Sequence, residues 1–155
     1  MKKLFFNILF FLLSFAIYSQ DKDSLPKFDP TRNPFDDLKS AVEVAKESSK
    51  RIILDVGGDW CIWCHRIDAF IHNTDEIKSL LEENFIILKI NYSKENKNEK
   101  FLSHYPQIAG YPHFFVLDEA GKLLHSQNTG ELEKDKDYDK DKFIDFLNKW
   151  KPVKN

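Results

Sequence analysis

Two short runs dominate the alternation of apolar and polar positions along the chain. "RIILDV" at 51–56 and "FIILKI" at 85–90 are β-branched and almost continuously apolar. That pattern suits strands covered on both faces, so both are expected to be central strands. Between them the apolar period lengthens to that of a helix. Trp63, Ile67, Phe70 and Ile71 share one face after Cys61, and Ile77, Leu80 and Leu81 share one face of a second helix capped by Asn73 or Thr74. Strand, helix and strand predict a right-handed crossover with a parallel pair. Upstream, Asn33 and Pro34 form an N-cap and first-turn proline, Asp36 and Asp37 follow, and Phe35, Leu38, Val42 and Ala45 make an apolar stripe. A helix is expected there to about Ser49. Downstream of a loop rich in lysine and asparagine at 92–100, "HFFVLDEAGKLLH" at 113–125 reads as two strands joined at 118–121. "ELEKDKDYDKD" at 131–141 reads as a solvated loop or helix start. Phe143, Ile144, Phe146, Leu147 and Trp150 then fall at helical spacing and are expected to cover one face of the sheet. No internal repeat is evident.

The start of the chain follows a different pattern. "MKKLFFNILFFLLSFAIYSQ" has two early lysines, an apolar stretch from Leu4 to Tyr18 and a polar end. It reads as a secretory signal peptide over 1–19, its apolar run shorter than the roughly 20 residues of a membrane span. Residues 20–33, polar and carrying Pro26 and Pro30, read as a linker, and 34–152 as one domain long enough to bury its own core. Removing Lys2 and Lys3 with the leader leaves 21 basic against 25 acidic residues, a net charge of −4. No basic surface for nucleic acid is implied, and no stable membrane insertion after cleavage. The expected location is periplasmic or secreted, where disulfides persist.

Export makes the two cysteines informative. Cys61 and Cys64 lie three apart in "GGDWCIWCHRID", and a structural bridge closing so small a loop stabilises little. The pair is therefore read as chemical. Three chemistries compete: a redox dithiol, the Cys-x-x-Cys-His hook of a c-type haem completed by His65, and part of a metal site. The haem reading lacks a methionine ligand, since Met1 leaves with the leader, although a histidine would serve. A zinc site would need a second Cys/His pair at close spacing, and none is evident. No cofactor or metal is expected. In the dithiol reading, the strand-to-helix turn places Cys61 at a helix N-terminus, where backbone N–H groups and the helix dipole favour the attacking thiolate. Cys64, one turn in, would resolve the mixed disulfide. Asp55 is an ionisable group in an otherwise apolar strand. It is suited to exchanging a proton with Cys64, or else to a structural ion pair with Lys89. Trp63 belongs to the core stripe, whereas Trp60 lies off it and is expected to cover the dithiol. His72, His104, His113 and His125 carry no spacing signal.

The same residues resemble the thioredoxin-like superfamily, in its secreted group with a Trp-Cys-x-Trp-Cys motif, over roughly 34–150. Asp55 lies six residues before Cys61, Lys89 stands on the neighbouring strand, and Gly110-Tyr111-Pro112 leads into the hairpin. Gly57, where thioredoxin has tryptophan, and Trp63, in place of its proline, depart from that pattern. The resemblance implies an α/β three-layer sandwich, a central mixed sheet with helices on both faces. It also implies a cis-proline at Pro112 facing the dithiol, with Trp60, Tyr111 and Pro112 as substrate contacts. The implied activity is that of a thiol-disulfide oxidoreductase acting on protein thiols and disulfides, with a redox partner protein. The competing class is a redox-inert binding or chaperone-like module that keeps the fold.

Overall fold

The computed structural model describes residues 26–153. The expected signal peptide and the first part of the expected linker lie outside the described residues. Helix α1 (Pro34–Ser48) is followed by β1 (Arg51–Gly57), α2 (Ile62–His72), α3 (Asp75–Asn84), β2 (Phe85–Asn91) and the short α4 (Glu99–Leu102). Then come β3 (His113–Leu117), β4 (Leu123–Asn128), a 3-10 turn (Thr129–Leu132), β5 (Glu133–Lys134), β6 (Asp137–Tyr138) and α5 (Lys140–Trp150). None of the described helices is long and apolar enough to cross a membrane.

Local chemistry sets the helix starts. Asn33 accepts the Phe35 N–H at 3.0 Å ahead of Pro34, and Asp139 accepts the Asp141 and Lys142 N–H groups at 3.0 and 3.2 Å at the start of α5. Each satisfies donors that the first helical turn leaves unpaired. The four-stranded sheet runs β2-β1-β3-β4, with β1 and β2 parallel and the other neighbours antiparallel. Its β3–β4 turn is closed by Asp118, whose carboxylate accepts from Ala120 and Lys122, and by Gly121 at φ +82°.

Alternation along β1 sorts the core into two layers. Ile52, Leu54 and Val56 pack with Ala41 and Ala45 of α1, Phe101 of α4 and Phe115 of β3. Ile53 faces the other way, among Ile67 and Ile71 of α2, Ile77 and Leu81 of α3, and Phe143, Phe146 and Leu147 of α5. Each of the larger side chains here, from valine to phenylalanine, contributes roughly 1.5–3 kcal/mol by leaving water. Helices therefore cover both faces of a mixed sheet, the three-layer α/β sandwich expected.

Two elements differ from expectation. β1 is central, but β2 is an edge strand. Its apolar run reflects cover by helices on both faces rather than strand neighbours on both sides, and Ile86, Ile87 and Leu88 are only half-buried. The charged stretch at 131–141 does end in a helix start, with Asp139 capping α5, but the part before it is no free loop: it holds the β5–β6 hairpin. Tyr138, 5% exposed, packs there against Trp63, Phe70 and Phe143 at ring-centroid distances of 5.7, 5.8 and 6.2 Å. A single aromatic among charges carries no periodicity, so only tertiary contact reveals its burial.

Candidate active site

β1 ends at Gly57, and a turn whose Cys61 N–H donates to the Gly58 carbonyl at 3.0 Å leads into α2. Cys61 is the N-cap of that helix, and its sulfur accepts the Cys64 backbone N–H at 3.1 Å. The two cysteines form a disulfide with their Cα atoms 5.2 Å apart. Once reduced, Cys61 would keep that donor and the positive end of the α2 dipole, both of which favour its thiolate. Cys64 is the more deeply covered sulfur, 1% exposed against 4%.

Gly57 allows this packing. A Cβ at that position would lie 2.5 Å from Cys64 Sγ and 2.9 Å from Phe28 Cζ. The close approach of backbone, sulfur and ring leaves room for no side chain.

An aromatic rim flanks the dithiol. Trp60, 58% exposed, donates its indole N–H to the Tyr92 carbonyl at 2.6 Å and meets the Tyr111 ring edge-on at 5.6 Å. Tyr111 stacks on Tyr92 at 4.7 Å and packs against the cluster formed by Phe28, Cys61 and Cys64. Burial, reinforced by a hydrogen bond with Tyr92, pushes the Tyr111 hydroxyl well above its ordinary pKa. The Tyr111–Pro112 peptide bond is cis. His65 is exposed, with Nε2 2.8 Å from the Asp59 carbonyl oxygen.

Behind the sulfurs lies a buried charge cluster. Lys89 Nζ donates to Asp55 Oδ2 and to Asp68 Oδ1, each at 2.6 Å. Asp55 and Lys89 are 2% and 6% exposed and are paired in register across the parallel strands. Burial alone would lower the Lys89 pKa, but the two carboxylates outweigh it and hold the ammonium above its ordinary value. Asp68 is shifted upward by burial, which Lys89 only partly offsets. Asp55 Oδ1 has no hydrogen-bond partner among the described residues.

Residues 33–119 match the family model described as Thioredoxin-like. The chain belongs to the thioredoxin-like family. Over 120 residues it is 25% identical to the thiol:disulfide interchange protein DsbD of Actinobacillus pleuropneumoniae serotype 5b (strain L20), covering 74% of this chain and 19% of that one. Over 93 residues it is 27% identical to the disulfide bond reductase DsbH of Chlamydia pneumoniae, covering 54% of this chain and 55% of that protein. It thus spans less than two thirds of either relative. A solved disulphide isomerase from Xylella fastidiosa Temecula1 shares the fold, with a TM-score of 0.68 at 23% identity over 81% of this chain and 98% of that one. The relatives' names and the Cys61–Cys64 pair together support thiol-disulfide oxidoreductase chemistry.

In this thioredoxin-like frame Cys61, Cys64, Asp55, Lys89, Trp60, Tyr111 and Pro112 gather around one end of β1, while His65 turns its ring to the preceding loop. Trp63 is half-buried under the Arg66 guanidinium, 4.5 Å away, and packs on the core as its helical face implied.

Two residues of this region escaped the sequence reading. Asp68 is seven residues after Cys61, two helical turns along α2, and that spacing was its available signal. Phe28 lies in the segment read as linker, yet it is buried against both cysteines. Its only signal is an isolated aromatic among polar residues.

Proposed function

We propose that this chain is an exported thiol-disulfide oxidoreductase that exchanges disulfides with protein substrates through Cys61 and Cys64. The observation that carries this reading is the position of Cys61 as the N-cap of α2, its sulfur accepting a backbone N–H, with Cys64 covered behind it. In the reducing direction, the Cys61 thiolate attacks a client disulfide, forming a mixed disulfide and releasing one client thiolate. Cys64 then gives up its proton and attacks the Cys61 sulfur, closing the Cys61–Cys64 bond and releasing the second client thiolate. Two electrons pass from the dithiol to the client, and a partner dithiol restores the reduced form. The same steps in reverse oxidise a client dithiol.

Asp55 takes the Cys64 proton in this scheme, with one carboxylate oxygen bonded to Lys89 and the other unengaged among the described residues. An ion pair and a proton-transfer role therefore share one carboxylate. Trp60, Tyr111 and Pro112 form the surface that receives the client chain, and His65 supports the site electrostatically from the exposed face of α2. The early lysines and apolar run at the start of the chain support export to a periplasmic or extracellular setting, and the functions named for the DsbD and DsbH relatives support protein disulfides as substrates.

Turnover in insulin reduction or dithiol-peptide oxidation tests the reading. Cys61→Ser should abolish it, and Cys64→Ser should accumulate dithiothreitol-sensitive complexes with exported proteins that Cys61→Ser lacks. Equal trapping through Cys64 in the absence of Cys61 would reverse the roles of the sulfurs. A wild-type protein inactive in both assays would instead favour the redox-inert binding module.

A further inference from the structure

Phe28 is 7% exposed although Lys27 and Asp29 on either side of it are exposed. The segment before α1 therefore docks through one aromatic ring. That ring packs with Cys61 and Cys64, and its edge meets the Cys64 sulfur over the bare backbone of Gly57. Lys89 Nζ lies 4.5 Å from the ring centroid, so one side chain touches both the resolving sulfur and the ammonium that holds Asp55. A ring face attracts such a cation, most strongly where water is excluded.

The segment is also tied down from outside the core. Asn96 Nδ2 donates to the Pro30 carbonyl at 2.8 Å. The loop bearing Asn96 is braced by Asn91 Nδ2 on the Asn96 carbonyl at 2.8 Å and by Asn98 Nδ2 on the Asn91 carbonyl at 2.7 Å. Through these amides the asparagine-rich loop fixes the backbone two residues beyond Phe28.

We propose that Phe28 is a positioning residue of the dithiol, closing its inner side against water so that Cys64 stays a buried thiol until a mixed disulfide forms on Cys61. This inference rests on the oxidoreductase reading above. Water stabilises a thiolate, so a sulfur sealed under an aromatic ring gives up its proton reluctantly. The N-cap sulfur of Cys61, with its N–H donor, then carries the negative charge alone. Resolution begins when the Cys64 proton leaves toward Asp55, and the freed electron pair forms the bond to the Cys61 sulfur as the client thiolate departs.

The test is the pH dependence of iodoacetamide alkylation, read separately for each sulfur. In a Cys61→Ser chain, Phe28→Ala should speed Cys64 alkylation at neutral pH by about tenfold and move the midpoint of the rate–pH curve lower. Phe28→Leu, which restores apolar bulk, should keep most of the protection. Asn96→Ala, which frees the tether without touching the ring, should speed alkylation by about threefold. In a Cys64→Ser chain, Phe28→Ala should change the Cys61 rate less than about twofold. Unchanged Cys64 rates, or equal acceleration of both sulfurs, would overturn the proposal. If Phe28→Ala fails to fold by circular dichroism, Asn96→Ala decides: an unaltered Cys64 rate sinks the proposal. A wild type that protects Cys64 yet never turns over insulin or dithiol peptide would sink the oxidoreductase reading and leave the seal standing.

Discussion

The two sides of the dithiol differ in nearly every physical respect. On the outer side Trp60 and Ile62 are 58% and 62% exposed, His65 faces solvent, and the contacts are ring edges and single hydrogen bonds. On the inner side Cys64, Asp55, Lys89 and Phe28 are all at most 7% exposed, and two carboxylates share one ammonium. One helical turn separates two sulfurs of identical chemistry, so environment alone can divide their labour. In the proposed cycle the outer side offers a client access, and the inner side handles the Cys64 proton in a region where charges are costly unless paired.

The sharpest way to break this contrast is to remove the shared cation. Lys89→Met leaves two carboxylates facing each other without a counter-charge, and the expected loss is about 3–5 kcal/mol of unfolding free energy by urea titration. Asp55→Asn should cost much less, because Asp68 still neutralises Lys89, while slowing resolution of mixed disulfides. Equal destabilisation by the two variants would show that the cluster does not act as a shared unit.

Next in size comes a buried titratable group on the other face of the sheet. His113 follows Pro112, is 4% exposed, and bonds Ser126 Oγ through Nε2 at 2.8 Å. Burial, aided by nearby His125, pushes its pKa down to about 4. The folded chain thus keeps His113 neutral to about pH 4, whereas an unfolded histidine takes a proton near pH 6.5. The unfolded state binds more protons in that window, so stability is full above it and is lost as the pH falls through it. The His113 share of that loss should be on the order of 3 kcal/mol and absent in His113→Asn. Because His113 stands apart from the Asp55 cluster, His113→Asn should leave the pH profile of thiol exchange unmoved.

Steric intrusion on the inner side should cost somewhat less. Gly57→Ala pushes a methyl group into Cys64 Sγ and Phe28, with about 1–3 kcal/mol lost by thermal or urea unfolding. On the outer side the smallest effect is expected. Trp60→Ala gives up an edge-on contact with Tyr111 and one hydrogen bond, about 1 kcal/mol of stability. A rise of a few-fold in KM for a client peptide, with kcat held, would mark Trp60 as part of the receiving surface. A fall in kcat alone would move it to the inner, chemical side of the comparison.

The residues themselves determined much of this. Continuous apolar runs, 3.6-residue stripes and the Asn33-Pro34 start encode local preferences that need no partner to be read, so the order of strands and helices and the place of Cys61 at a helix start were legible in the chain. So were the residues that carry the resemblance, Asp55, Lys89 and Tyr111-Pro112 among them. Other features were decided only by tertiary structure. Position at a sheet edge depends on which strands pair, and β2 has the composition of a central strand without the neighbours. Burial of Phe28 and Tyr138 comes from segments folding back across the molecule, and a lone aromatic among polar residues has no period to announce it. Asp68 joined the site because a helix and a parallel strand bring its carboxylate to a lysine 21 positions away. Side-chain spacing along one element follows from local geometry. Which element meets which follows from the burial of apolar surface over the whole chain, and that surface is shared by residues far apart in sequence.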